Sequence, residues 1–167
     1  KARISGLEAI CGNALEEDVL EELHAEEYAT FLAVTSNSEV NVLACQIAQD
    51  AFGIKRAFPA MSNPAKGANP ALLKQTGGRL AFGHFIDIQE WEGRQKILDL
   101  DWQVPASRAA AKATEMRISS LVLPILRLRR KSAEIVHADQ TWQAGDTIVF
   151  ITNQRLKVAQ KLLDQIE

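Results

Sequence analysis

Apolar positions in the first part of the chain alternate between short runs and helix-spaced stripes. Residues 7–11 are a short apolar run ending in Gly12-Asn13, after which Leu15, Val19, Leu20 and Leu23 fall at helical spacing. This predicts a strand, a tight turn and a helix. Asn13 is expected to cap that helix, with Glu16, Glu17 and Asp18 in its first turn, where the helix dipole favours anions. Residues 30–35 form a second apolar run rich in β-branched residues, read as a buried strand. Ser36-Asn37-Ser38-Glu39 has the Ser-x-x-Glu spacing of a capping box, with Ser36 at the cap. Val40, Leu43, Ala44, Ile47, Ala48 and Ala51 then share one helical face, which Gly53 closes at its C-terminal end. Residues 54–61 are a third strand-like run, and residues 63–70 a breaker-rich loop. Strand, helix, strand, helix, strand with short connections implies parallel strands and right-handed crossovers.

From Gly78 onward the texture changes. Residues 79–88 alternate imperfectly, residues 96–104 alternate better, and residues 119–128 form a long run broken by Pro124, which should mark an edge or a bulge. Residues 133–137 read as another strand. Gln143-Ala144-Gly145-Asp146 is a turn ahead of the β-branched run 147–152. Leu156, Ala159, Leu162, Leu163 and Ile166 make the stripe of a terminal helix, and the Ala-rich residues 105–117 read as helical. The fold class expected is therefore α/β. A partial Rossmann-like parallel sheet (βαβαβ) over residues 1–75 precedes a small, mostly antiparallel α+β unit over residues 76–167.

Composition narrows the function classes. With 47% hydrophobic and 24% charged residues and a net charge of −2, the 167-residue chain has material for an ordinary core. No apolar stretch approaches the ~18–20 residues of a membrane helix. Residues 1–60 carry four basic groups against ten acidic ones, whereas residues 79–131 carry ten basic against six acidic. Neither balance is basic enough to predict nucleic-acid binding. Cys11 and Cys45 are too few for a disulfide framework and are expected as buried thiols. His24, His84 and His137 lack partners at ligand spacing, so no metal site is expected. The chain begins at Lys1 without an initiator Met, and reads as an excised piece.

Candidate chemistry concentrates at two turns. In doubly wound sheets ligands sit beyond the carboxyl ends of the strands, where Gly12-Asn13-Ala14 and Thr35-Ser36-Asn37 are expected. Backbone N–H groups there could face a phosphate, or both turns could be helix caps and nothing more. A G-x-G-x-x-G fingerprint is absent from the sequence. No nucleophile elbow or paired acid and base emerges, so no catalytic residue is assigned and the chain is not expected to be an enzyme. Arg127, Arg129, Arg130 and Lys131 form the one dense basic cluster, either a solvated hairpin tip or a contact for an anion. Trp91, Trp102 and Trp142 are expected in core positions.

Gly12-Asn13-Ala14-Leu15, then Phe31-Leu32-Ala33-Val34-Thr35-Ser36-Asn37-Ser38-Glu39-Val40-Asn41, then Leu43-Ala44 resemble the late half of the Rossmann-type TrkA-N domain, also called the regulator-of-potassium-conductance (RCK) domain. Asn13 and Ser38 depart from the aspartates usual in that family. Gly78-Arg79-Leu80-Ala81-Phe82-Gly83 with a short helix through Glu90-Trp91, then Leu123-Pro124-Ile125, Ile135-Val136-His137 and the Gln143–Asp146 turn resemble the cytoplasmic tail of bacterial cation/proton antiporters, the last pieces resembling a TrkA-C domain. The resemblance implies a regulatory, ligand-sensing domain on the cytosolic side of a sodium or potassium/proton antiporter. Its partners would be the transmembrane domain of the same polypeptide and a second copy, with no nucleic acid. NAD(H) or an adenine nucleotide is the implied cofactor of the intact parent, and none is assigned to this piece. Gly12, Asn13, Thr35 and Ser36 carry over as nucleotide-facing residues. The implied sheet would have lost its first strands, leaving an open edge to be closed by rearrangement or by pairing between chains. An RCK regulator of a potassium channel or uptake system, and an NAD(P)-binding oxidoreductase fragment, are the alternatives.

Overall fold

The computed structural model describes residues 6–66, 68–77, 79–92, 98–106, 121–152, 158 and 161. The chain divides into two compact units, Lys1–Gly78 and Arg79–Glu167.

In the first unit the order is α1 (Glu17–Glu22), β1 (Thr30–Ala33), α2 (Ser38–Asp50) and β2 (Arg56–Pro59). β1 and β2 pair in parallel, Thr30 opposite Arg56 and Ala33 opposite Pro59, with α2 as the crossover. This is the α/β arrangement that the alternating pattern dictates. Ala33, Ala44, Cys45 and Ala57 are buried together with Leu15 and Phe31 against them. Leu20, Ala25, Ala48 and Ile54 form a second apolar cluster. The buried members of the first cluster are all small, Ala33, Ala44, Cys45 and Ala57, whereas the second is filled by Leu20 and Ile54 with Phe31, Ile47 and Phe52 against them. Three residues past the end of α2, Gly53 turns the chain at φ +67°, which no other residue adopts as cheaply, and Ile54 N–H donates to Ala48 O at 3.0 Å.

Four expectations for this unit are corrected. Residues 7–11 are not a strand of the sheet, because the described parallel sheet has two strands and offers this run no ladder. Asn13 does not cap α1. Its Oδ1 accepts from Leu15 N–H at 3.1 Å, spending the side chain on the turn two residues on, and the helix starts after Glu16 with no side-chain cap. Asn37, not Ser36, caps α2, with Oδ1 accepting from Val40 N–H at 3.0 Å. The buried face of α2 runs through Ser38, Asn41, Val42, Ala44, Cys45 and Ala48, so Leu43 and Ala51 are exposed. The breaker-rich loop holds a 3-10 segment, Pro64–Lys66, and a second, Pro70–Thr76, begins at its last residue.

The second unit contains α3 (Ile88–Glu92), β3 (Leu98–Gln103), β4 (Val122–Arg129), β5 (Ser132–Ile135) and β6 (Thr147–Thr152). The four strands form one antiparallel sheet in the order β3-β6-β4-β5. Pro124 lies in the interior strand β4, and the register slips between Pro124 and Leu126, so the missing N–H is absorbed by a bulge. Trp142, Ile148 and Phe150 are fully buried, and Trp102 meets Trp142 and Phe150 edge-on at 6.0 and 6.3 Å. Trp142 Nε1–H donates to Gln140 Oε1 at 3.2 Å, which satisfies the indole inside an apolar core. Residues 79–88 are not a strand: Ala81 makes an isolated bridge to His137, and Phe82 turns the chain at φ +62°. The helices expected over residues 105–117 and at the C-terminus lie mostly outside the described residues.

Candidate functional site

The carboxyl ends of β1 and β2 are tied together by the first turn of α2. Asn41, 1% exposed, uses both ends of its amide. Its Oδ1 accepts from Thr35 N–H at 2.8 Å and from Thr35 Oγ1–H at 2.7 Å, and its Nδ2 donates to Thr35 O and to Ala60 O, each at 2.9 Å. One turn earlier, Ser38 Oγ accepts from Ser62 N–H at 3.0 Å and lies 3.1 Å from Ser62 Oγ. Thr35 follows β1, and Ala60 and Ser62 follow β2. The first turn of α2 is thus fastened to both strand ends where a doubly wound sheet presents its ligand face.

The four residues expected to face a nucleotide are placed differently from one another. Thr35 turns its amide and hydroxyl inward to Asn41, and its Oγ1 also accepts from Asn37 N–H at 3.2 Å. Ser36 is exposed on the same turn. Gly12 is exposed, and a Cβ there would sit 2.9 Å from Val19 Cγ1, so glycine is what allows the turn to lie against α1. Asn13 is exposed and holds Leu15 N–H and Glu16 Oε1. No hydrogen bond among the described residues joins the Gly12-Asn13 turn to the Thr35-Ser36 turn. The polar ties of Ser38, Asn41 and Ser62 were not singled out from the sequence. The available signal was a polar residue one helical turn after Ser38 on a face otherwise made of small residues.

Thiols and imidazoles are unremarkable as chemistry. Cys45 is buried, and burial pushes its thiol up to about 12, the Ala33 backbone bond acting the other way. Cys11 is exposed, contrary to the expectation of a buried thiol, since residues 7–11 do not enter the sheet. His24 is exposed, and His84 and His137 are half-buried, with burial lowering both imidazoles from their ordinary value. Among the described residues no group of His, Cys, Asp and Glu side chains could hold a metal ion. No helix among them is long and apolar enough to cross a membrane.

The basic cluster of the second unit is partly compensated. Arg129 grips the buried Asp146 with two charge-assisted bonds of 2.6 Å, and Gln143 N–H donates to the same carboxylate at 2.8 Å. Burial works against the Asp146 charge, and these bonds more than offset it, so the carboxyl titrates below its usual range. Arg127 pairs with Glu134 and donates to Thr141 O at 3.1 Å.

Residues 1–77 match the TrkA-N domain family. The first unit is therefore TrkA-N-like, in keeping with its parallel β-α-β order. Among solved structures, the crystal structure of the GsuK RCK domain aligns with 92% of this chain and 37% of its own length, at 11% identity and a TM-score of 0.38. The chain thus spans little more than a third of that protein chain. No curated protein matches.

Proposed function

We propose that the chain is a regulatory, ligand-sensing module of a monovalent-cation transport system, without catalytic activity of its own. The observation that carries this reading is the TrkA-N match over residues 1–77, on a unit whose two parallel strand ends are locked by α2 into a preset face. A ligand at such a face acts only through unequal affinity for two conformations, which a rigid tie between strand ends can transmit. Thr35, Ser36 and Asn37 are exposed on the turn after β1, and Gly12 and Asn13 are carried to the same face by the family resemblance alone. The finer reading is the cytosolic tail of a sodium or potassium/proton antiporter, working as a dimer beneath the transmembrane domain of the same polypeptide. It rests on the Gly78–Gly83 and Glu90-Trp91 pattern, and on the TrkA-C resemblance of the strands that follow. A regulator of a potassium channel or uptake system is the alternative.

A thermal-shift series with AMP, ATP, NAD and NADH tests the ligand-sensing part. A ligand at 100 times its dissociation constant stabilises by about 2.7 kcal/mol. A shift with one of the four, lost on substitution at Ser36, is expected; no shift with any of them would remove nucleotide sensing from this chain. The reading frame upstream of Lys1 separates the finer readings. Many membrane spans favour the antiporter, a single pair favours the channel, and a soluble catalytic domain would overturn both.

A further inference from the structure

We propose that the groove beside the β4–β5 turn binds a phosphate dianion, drawn in by Arg130 and Lys131. The groove has a volume of about 770 Å³ and lies between the Arg130-Lys131 turn and the Gln143–Asp146 turn. Four cations line it, and two are already answered: Arg129 by Asp146 and Arg127 by Glu134. Those four groups sum to zero charge and are held in place by their own bonds. Arg130 and Lys131 are exposed, take part in no ion pair among the described residues, and leave the groove with two uncompensated positive charges.

The backbone at Arg130 adds an independent observation. Arg129 pairs with Ser132 across the hairpin, so Arg130 and Lys131 are its two loop residues, and Arg130 adopts φ +54°. Two-residue hairpins of this hand favour Gly, Asn or Asp at a position of positive φ, and a longer L side chain there is strained. The exposed Arg130 side chain is not part of the buried core to offset that strain. A strained position occupied by a cation, beside a groove of matching sign, is the pattern of a side chain retained for contact with a ligand.

Chemistry selects the ligand class. A phosphate monoester carries nearly two negative charges at neutral pH, since its second pKa is about 6. It offers the three acceptor oxygens that a guanidinium fork and an ammonium satisfy together. Ser132 and Gln143, both neutral and polar, line the same groove, and its volume leaves room for an organic substituent. The same chemistry comes from a soluble phosphate ester or from an anionic phospholipid headgroup.

The test uses the whole chain and inorganic phosphate in low salt, following the backbone amide resonances of the 130–132 turn and of Gly145. Saturable shifts are expected, weakened about tenfold, or 1.4 kcal/mol, in the Arg130→Gly/Lys131→Ser double variant. They should also weaken with added salt, because exposed charges are screened beyond ~10 Å at 0.1 M ionic strength. Glycine suits the positive φ, so the variant should melt no lower than the parent, which separates lost binding from lost folding. Shifts that do not saturate, or that persist equally in the double variant, overturn the proposal. Co-sedimentation with phosphatidylcholine vesicles with and without phosphatidic acid then assigns the source. Pelleting only with phosphatidic acid identifies a headgroup, and phosphate saturation without pelleting identifies a soluble ester. Inorganic phosphate lacks an adenine ring and the readout is confined to the second unit, so this outcome is independent of nucleotide sensing by the first.

Discussion

Asn41 holds Thr35 through three hydrogen bonds, from the Thr35 amide and hydroxyl to Oδ1 and from Nδ2 to the Thr35 carbonyl, while the second Nδ2 proton reaches Ala60 O. One helical side chain therefore substitutes for the next ladder bonds of two parallel strands, just where the strands stop and their backbone groups would be left unpaired. An amide suits this position because it offers acceptor and donor at once.

Asn41→Ala should accordingly lower the stability of the first unit by about 2–4 kcal/mol, since it strands buried backbone groups rather than removing one neutral bond. Asn41→Asp should be no better, because its carboxylate would face the Thr35 and Ala60 carbonyls where Nδ2 now donates. Hydrogen exchange checks both variants. Protection should fall at Thr35 and at the Ala60–Ser62 segment together, whereas Ser38→Ala should loosen Ser62 alone. Exchange that rises uniformly through β1 and β2 would show a general loss of stability and no specific tie.

Gly12→Ala tests the close approach of the turn to α1. The added Cβ would lie 2.9 and 3.0 Å from the two Val19 γ-carbons, and valine has little rotamer freedom on a helix with which to give way. Overpacking of this kind costs about 1–3 kcal/mol. Val19→Ala in the same chain should recover part of the loss, so the pair should show a favourable coupling in a double-mutant cycle by urea denaturation. Strict additivity would mean that Gly12 matters for its backbone and not for Val19.

The period of the hydrophobic pattern carried the parallel β1-α2-β2 order and the strands β3 to β6, because each of those elements buries an apolar face that its neighbours need. It misjudged the face of α2 for a definite reason. Ser38 and Asn41 are polar yet buried, since their side chains fasten the strand ends, and they pull Val42, Cys45 and Ala48 toward the sheet while Leu43 turns out. A hydrophobicity count sees two polar residues and rotates the helix the wrong way. The cap moved by one residue for a related reason: Asn37 reaches Val40 N–H, and its own amide is set by Thr35 Oγ1. The run at residues 7–11 has strand composition, and composition alone supplies no partner for its hydrogen bonds. At the basic cluster the sequence displayed four cations but not which two were neutralised, because Asp146 and Glu134 are brought to Arg129 and Arg127 by sheet pairing and by the opposing turn.

The two cysteines should differ sharply in reactivity. The thiolate is the nucleophile, so Cys45, buried and pushed up to about 12, should resist alkylation at pH 8 for as long as the first unit stays folded. Cys11 is exposed and should react at the rate of an ordinary surface thiol. Counting modified thiols by mass spectrometry over time should give one fast site and one site that appears only with urea. Because the folded Cys45 value lies above the unfolded value, its neutral thiol contributes stability that is complete below about 9 and declines as pH rises toward 12. Cys45→Ala should remove that alkaline decline from the denaturation curves of the first unit.

The Arg129–Asp146 pair should set the acid stability of the second unit. Asp146 titrates below its usual range when folded, so the folded state binds its proton less readily than the unfolded state. The stability contributed is fully present above the unfolded carboxyl value near 3.9, and is lost as pH falls through the lower folded value. All three tryptophans lie in this unit, which makes fluorescence-detected urea denaturation between neutral and strongly acidic pH a reporter of it alone. Arg129→Met leaves a carboxylate that is 2% exposed without its cation. The loss at neutral pH should be smaller than the roughly 3–5 kcal/mol of a fully buried pair, since the Arg129 side chain is itself 30% exposed. In that variant the Asp146 carboxyl should rise instead of fall, so mild acid should restore stability that it removes from the parent. Equal acid sensitivity in both proteins would mean that another carboxylate governs the transition.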